Sequence, residues 1–355
     1  MIELQKIDRA ERVTMNATIK DVARLSGVGI STVSRVLNGS GPVSQEKKNK
    51  VMTAVHELGY LPNNNAKNLK RRKSDAIMIM AKSVGNPFFQ KVIHVMENLI
   101  QLRGYSMEIK NISTLEDEMA VARQQAKNGN ACGIIMLGGH FGYTNEDFES
   151  LNVPCVLVTY KAADVVDESL YSSVIIDDKK EMKKATEYLI GLGHRRIGCI
   201  YSDYGEIVTP NRLRYDGYCC ALKEHGIPFD AGLVSSTLDI FGSGYEFGFN
   251  MMKSLMLKNP DMTAVVTMAD IMAIGAAKAA LATGHRIPED ISIIGFDGIE
   301  AAEYYHPALD TIAQPAQLIG QYAVDALTEV LQGGNTQHVV LESDLIRRGS
   351  SARVQ

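Results

Sequence analysis

Two kinds of hydrophobic pattern follow one another along the chain, and they meet near Asp75. Before it, apolar residues recur at the three- and four-residue spacing of a helix face. Ile19, Val22, Ala23 and Leu25 follow Thr18, a good N-cap, and Gly27 permits the left-handed turn that ends a helix. A second burst, from about Ile30 to Leu37, puts Val33, Val36 and Leu37 on one face, while Ser31, Ser34 and Arg35 point elsewhere. After Gly39 and Gly41-Pro42, Ser44 caps a third predicted helix running to about Leu58, with Val51, Val55 and Leu58 as its buried stripe. Two short helices joined by a glycine-containing turn predict a helix-turn-helix in a small all-α unit.

From Asp75 onward the period changes. Short apolar runs predict strands at Ala76–Ala81, Ser106–Ile112, Gly133–Leu137, Cys155–Thr159, Val174–Ile176, Ile197–Tyr201, Ala264–Met268, Ser292–Gly295 and Thr311–Ala313. Helical stretches separate most of them: Pro87–Leu102, Glu116–Lys127, Lys179–Leu192, Leu213–His225, Gly244–Leu257 and Ile271–Ala282. Strands alternating with helices predict parallel sheets covered on both faces. The stretch is long for one such sheet, so two lobes are expected. Ligands of open α/β sheets bind at the carboxyl ends of strands, which between two lobes means the cleft.

Charge sharpens this division. The 355 residues carry a formal net charge of −4, which alone suggests no polyanionic partner. Residues 17–75, however, hold eleven Lys/Arg against four acids, whereas residues 76–355 hold 23 bases against 34 acids. A basic module joined to an acidic one suggests nucleic-acid binding by the first. No apolar run reaches the roughly 18 residues of a membrane span, and MIELQKIDRAERVT has no secretory apolar region, so a cytoplasmic protein is expected. Cys132, Cys155, Cys199, Cys219 and Cys220 show neither C-x-x-C spacing nor an even count and read as buried thiols.

Within the basic module, a recognition helix places its N-terminal side chains at base edges in the major groove. Here those are Ile30, Ser31 and Arg35: an arginine can bind guanine bidentately and an isoleucine suits a thymine methyl. The segment TIKDVARLSGVGISTVSRVLNG, followed by VS and ELGYLPNNNAKNLK, resembles the headpiece of the lactose/galactose repressor family of bacterial transcription regulators. The match is nearly continuous from Thr18 to Lys70; Gly29 departs from it where the family commonly has a capping serine. The resemblance implies DNA contacts from Thr18, Ile30, Ser31, Ser34, Arg35 and Asn38. It also implies a hinge helix over Asn63–Leu69 that contacts DNA through Asn63, Ala66 and Leu69 in the minor groove, with Leu69 wedged into a base step and Lys70 suited to nearby phosphates. The family headpiece begins close to Met15, so Met1–Thr14 is expected to be a disordered extension or to precede the true start.

In the acidic module, the strand ends carry NPFF, Arg214 of R-Y-D-G-Y, Asp297 and Gln314 of T-I-A-Q-P. Aromatic faces stack on the C–H surfaces of a sugar, while charged and amide groups bond its hydroxyls. The stretch from Ile77 to about Ala352, with ATEYLIGLGHRRIG, IPEDISIIGFDG, HPALDTIAQP and LIRRGSS, is similar to that family's effector domain, shared with periplasmic sugar-binding proteins. By that resemblance Asn86, Phe88, Phe89, Thr159, Arg214, Phe241, Asp297 and Gln314 contact the effector. Thr159 stands where sugar binders often have Asp, and Ala269 where many have Asn; a modified sugar or a nucleoside therefore stays open beside an ordinary sugar.

The expected organisation is a 1–16 extension, a 17–62 helix-turn-helix domain, a 63–74 hinge and a 75–355 effector-binding and dimerisation domain. Its first lobe is expected near 75–174 and 316–343, and its second near 175–315 and 344–355. The expected function is a repressor that binds a palindromic operator as a homodimer and answers a sugar-like effector through a two-state change. No Ser-His-Asp set, paired carboxylates or metal-ligand cluster points to an enzyme, a metal or a cofactor. GSGYEFG misses the dinucleotide spacing, His194 reads as the end of a helix, and Asp177-Asp178 and Asp270 read as helix caps.

Overall fold

A computed structural model describes residues 17–38, 41–60, 75–82, 85–113, 116–202, 208–237 and 244–354. The described chain forms two compact units that divide near residue 72.

The first unit is three helices: α1 (Ile19–Ser26), α2 (Ile30–Asn38) and α3 (Gln45–Leu58). Thr18 is the N-cap of α1; its amide and hydroxyl both donate to Asp21, and Gly27 ends the helix at φ 63°. The Gly29 carbonyl accepts the first hydrogen bonds of α2 from Thr32 and Val33. Val22, Val33, Val51 and Ala54 form the core, and Val36, Leu37, Val55 and Leu58 pack around it. The core is small because each helix offers one narrow apolar stripe.

The second unit has two lobes. The first lobe is built on β1 (Ala76–Lys82), β2 (Ser106–Ile112), β3 (Gly133–Leu137), β4 (Cys155–Val158) and β5 (Ser172–Ile176). Helices α4 (Pro87–Leu102), α5 (Glu118–Lys127) and α6 (Asn145–Glu149) connect them. The chain then crosses to the second lobe. There lie α7 (Asp178–Gly191), β6 (Ile197–Ser202), α8 (Pro210–Glu224), β7 (Val234–Thr237), α9 (Tyr245–Lys258), β8 (Ala264–Thr267), α10 (Asp270–Ala282), β9 (Ser292–Asp297), α11 (Glu300–Glu303) and β10 (Asp310–Ala313). It returns to the first lobe for α12 (Ala316–Leu331) and β11 (His338–Leu341), and crosses a third time to end on β12 (Asp344–Ile346).

The sheet orders are β11-β5-β4-β3-β1-β2, all parallel, and β12-β10-β9-β8-β6-β7, in which only β12 runs antiparallel. The central strands are buried along their whole length, save Lys82 at the end of β1, as sheets covered on both faces require. The alternation pattern missed β7, β11 and β12. Each is a three- or four-residue edge strand with exposed or half-exposed residues, too short to show a period. It also missed α12, whose buried face mixes Ala316, Gly320, Ala323 and Ala326 with larger residues and so blurs the stripe.

Two motifs resolve as packing devices. In GSGYEFG, Gly248 lies against α10: a Cβ there would sit 2.2 Å from the Met272 carbonyl, so glycine lets α9 and α10 touch backbone to backbone. His194 is buried, bridges the Thr263 hydroxyl (2.9 Å) and the Ala352 carbonyl (3.0 Å), and thereby ties the C-terminal tail to the second lobe. Burial holds its ring below the ordinary histidine range.

Candidate functional site

In the helical unit, the face that α2 turns away from Val33 carries Ile30 (47% exposed), Ser31 and Arg35, with Ser34 half-buried. An isoleucine so exposed beside an exposed arginine contributes nothing to the core, and suits contact with base edges. Thr18, the N-cap of α1, is exposed, with its hydroxyl engaged by Asp21. The side chain of Asn38 and the whole of Asn63, Ala66, Leu69 and Lys70 lie outside the described residues, as does Phe241.

The cleft-facing residues of the second unit sit at strand ends. In the first lobe, the Asn86 side chain caps α4 by accepting from the Phe88 amide (2.9 Å). Phe88 is 2% exposed and belongs to the core. Phe89, 5.8 Å away centre to centre, is half-buried and is the ring of the pair with surface to offer. Thr159 follows β4 in the left-handed region, at φ 72°, held there by its amide bond to the Val174 carbonyl (2.9 Å). A β-branched residue there is strained by about 1–3 kcal/mol. Among the described residues only Asn152, Thr159 and Asp297 are non-glycine residues at positive φ, and two of these three stand at strand ends facing the cleft.

The second lobe supplies a charged floor. Arg214, on the second turn of α8, is 7% exposed. Its Nε donates to Asp178 Oδ1 (2.7 Å), its Nη1 donates to the Met268 carbonyl (2.5 Å), and Nη1 lies 3.7 Å from Asp297 Oδ1. The guanidinium stacks 3.7 Å from the centre of the Phe296 ring. Gln314 Nε2 donates to Asp297 Oδ1 (2.8 Å), while Gln314 Oε1 is buried with no hydrogen-bond partner. Asp297 itself stands at φ 117°.

Behind the floor, Asp270 accepts from the Gly298 and Ile299 amides (2.8 Å each) and from the Thr311 hydroxyl (2.6 Å). It therefore braces the strained turn after Asp297 and is no cap: Ala269 holds the N-cap position of α10. Burial pushes Asp178 and Asp297 up to about 6, although Arg214 pulls both down. Burial and the nearby Asp297 charge push Asp270 up to about 7.

Sequence reading missed Asp178 as part of the floor. Its neighbour Asp177 takes the cap of α7, accepting from the Lys180 amide (3.0 Å), which leaves Asp178 to turn inward. The doubled acid at a strand end was the one available signal. A second charged group was also missed: in the first lobe, buried Glu118 pairs with Lys82 at the end of β1, with His140 Nε2 4.0 Å away. Beside it, the Phe141 amide donates across the cleft to the Val208 carbonyl (3.2 Å). The floor and Phe89 together can hold a small hydroxylated ligand; the strand ends present no nucleophile activated by a base among the described residues.

Residues 18–63 match the family of bacterial regulatory proteins, lacI family, and residues 186–351 match a periplasmic binding protein-like domain. The transcriptional regulator MalR of Clostridium butyricum is 38% identical over 337 residues, covering 94% of this chain and 98% of that protein. A transcriptional regulator CelR–cellobiose complex is 28% identical, covers 94% of this chain and all of its own, and superimposes with a TM-score of 0.69. The Lac repressor dimer bound to operator, 24% identical over 95% of this chain and all of its own, shares the fold with a TM-score of 0.67.

Proposed function

The chain belongs to the lacI family of bacterial regulatory proteins, and from that premise we propose that it is a transcriptional repressor whose operator affinity is set by a sugar-like effector bound between its two lobes. The helical unit reads a palindromic operator as half of a homodimer, through Ile30, Ser31, Ser34 and Arg35. The floor of Arg214, Asp297 and Gln314, with Phe89, Asn86 and Thr159 opposite, receives the effector.

One observation carries this reading: the floor stands on the crossings between the lobes. Asp178 opens α7 just after β5, and Gln314 lies between β10 and α12, so two of three crossings end in pocket residues. On the third, Glu342 and Ser343 are gripped by the first turns of α7: Lys180 pairs with Glu342 (2.8 Å), and Lys184 donates to the Ser343 carbonyl (2.8 Å). A ligand that favours one arrangement of Asp178, Arg214 and Gln314 therefore biases the angle between the lobes, and it does so only by its differential affinity for the two states.

The test pairs operator binding with effector response. With operator DNA selected in vitro, fluorescence anisotropy measured with a panel of sugars and nucleosides should show a change in affinity for the parent protein. Asp297→Ala should retain operator binding and lose that change. A retained response in both Asp297→Ala and Arg214→Ala would remove the pocket from this floor.

A further inference from the structure

We propose that the group the effector presents to the second-lobe floor is a protonated amine, so that the ligand class is an amine-bearing polyol such as an amino sugar. The inference rests on the floor being the effector's seat.

The floor holds two buried carboxylates, Asp178 and Asp297, and one cation. Among the described residues no ion pair other than those of Arg214 reaches either acid. Arg214 is itself largely committed, through Nε to Asp178 and through Nη1 to the Met268 carbonyl, with its face closed by Phe296. The floor therefore carries one negative charge too many.

A sugar phosphate would bring like charge to this place.

Hydrogen-bond capacity points the same way. Both carboxylates meet Arg214 or Gln314 through Oδ1. Gln314 donates to Asp297 and keeps Oε1 as a buried acceptor with nothing to accept from. An acceptor-rich floor wants donors, and an ammonium offers three together with a positive charge, whereas a hydroxyl offers one and no charge. Burial of an uncompensated charge is costly, so the ligand that neutralises the floor gains most from entering it.

The experiment is calorimetry on the full-length protein at pH 7 with glucosamine, galactosamine and mannosamine, each against its hydroxyl parent, and with N-acetylglucosamine and glucose 6-phosphate. At least one amino sugar should bind about tenfold or more tighter than its parent. That preference should vanish in Asp178→Asn, and the amine affinity of the unaltered protein should fall on going from pH 7 to pH 5, as both carboxylates take up protons. A parent sugar or the phosphate binding as tightly as the amine overturns the proposal and leaves the sugar-effector reading standing. Silence of all three amino sugars overturns it as well. Silence of every sugar here, together with silence of the sugars and nucleosides in the anisotropy test, would overturn that reading too.

Discussion

The helical unit and the two-lobed unit place their charge in opposite ways. In the first, Lys20, Arg24, Arg35, Lys47, Lys48 and Lys50 are all exposed, and the core is made of valine, alanine and other small apolar side chains. In the second, the informative charges are buried: Asp178, Arg214, Asp270, Asp297 and Glu118 are all under a tenth exposed. Exposed bases attract a polyanion over a Debye length and are sensitive to salt. Buried, paired charges act only on what enters their cavity, and they resist screening. One unit is thus built for a large partner met from solution, and the other for a small one enclosed.

The comparison can be broken from either side, and the largest effect should come from the floor. Arg214→Ala leaves Asp178 and Asp297 facing one another without their cation, a loss expected to cost about 3–5 kcal/mol at neutral pH. The deficit should shrink at pH 5, where protonation removes the repulsion; thermal melts at pH 7.5 and 5 measure it. An equal deficit at both would show that packing, not charge, is what Arg214 supplies.

Next comes the reading face. Arg35→Ala should weaken specific operator binding by about 1–3 kcal/mol, as loss of one bidentate base contact does. It should leave the melting of the two-lobed unit unchanged. Binding to unrelated DNA losing the same amount would make Arg35 a phosphate contact instead.

A subtler effect concerns Asp270. Its native value of about 7 lies above that of the unfolded chain, so the native state binds the extra proton between about pH 4 and 7, and this contribution to stability is lost as pH rises through that window. Asp270→Asn abolishes the loss, so its melting temperature relative to the parent should climb from pH 4 to 7. A constant difference would refute the assignment. Smallest is Thr18→Ala, which removes the Thr18 hydroxyl from the cap of α1 at a cost of about 1 kcal/mol. Hydrogen exchange in the helical unit should rise while that of the second lobe stays put.

What could be read in advance differs between the units for the same reason. The three helices of the headpiece and their buried stripes were legible in the sequence, because the helices are short and their contacts local. In the larger unit the strands at the sheet centres were legible as apolar runs, and Arg214, Asp297 and Gln314 as polar residues at strand ends. Phe88 and Phe89 were alike in sequence, but packing buries one and leaves the other ring with surface. Asp177 and Asp178 were equally alike, and only the helix cap taken by the first frees the second to meet Arg214, 36 positions away.

By itself, then, the sequence determined the division at Asp75, the helix-turn-helix, the alternating α/β pattern and the residue types available for recognition, since all of these are encoded by local period and composition. Tertiary structure alone decided that Gln314 and Asp178 stand at lobe crossings, that Asp270 braces the turn after Asp297, and that Asp178 and Asp297 converge on one guanidinium. Those facts depend on contacts between residues distant in the chain, and on burial, which turns an ordinary aspartate into one that holds its proton near neutral pH.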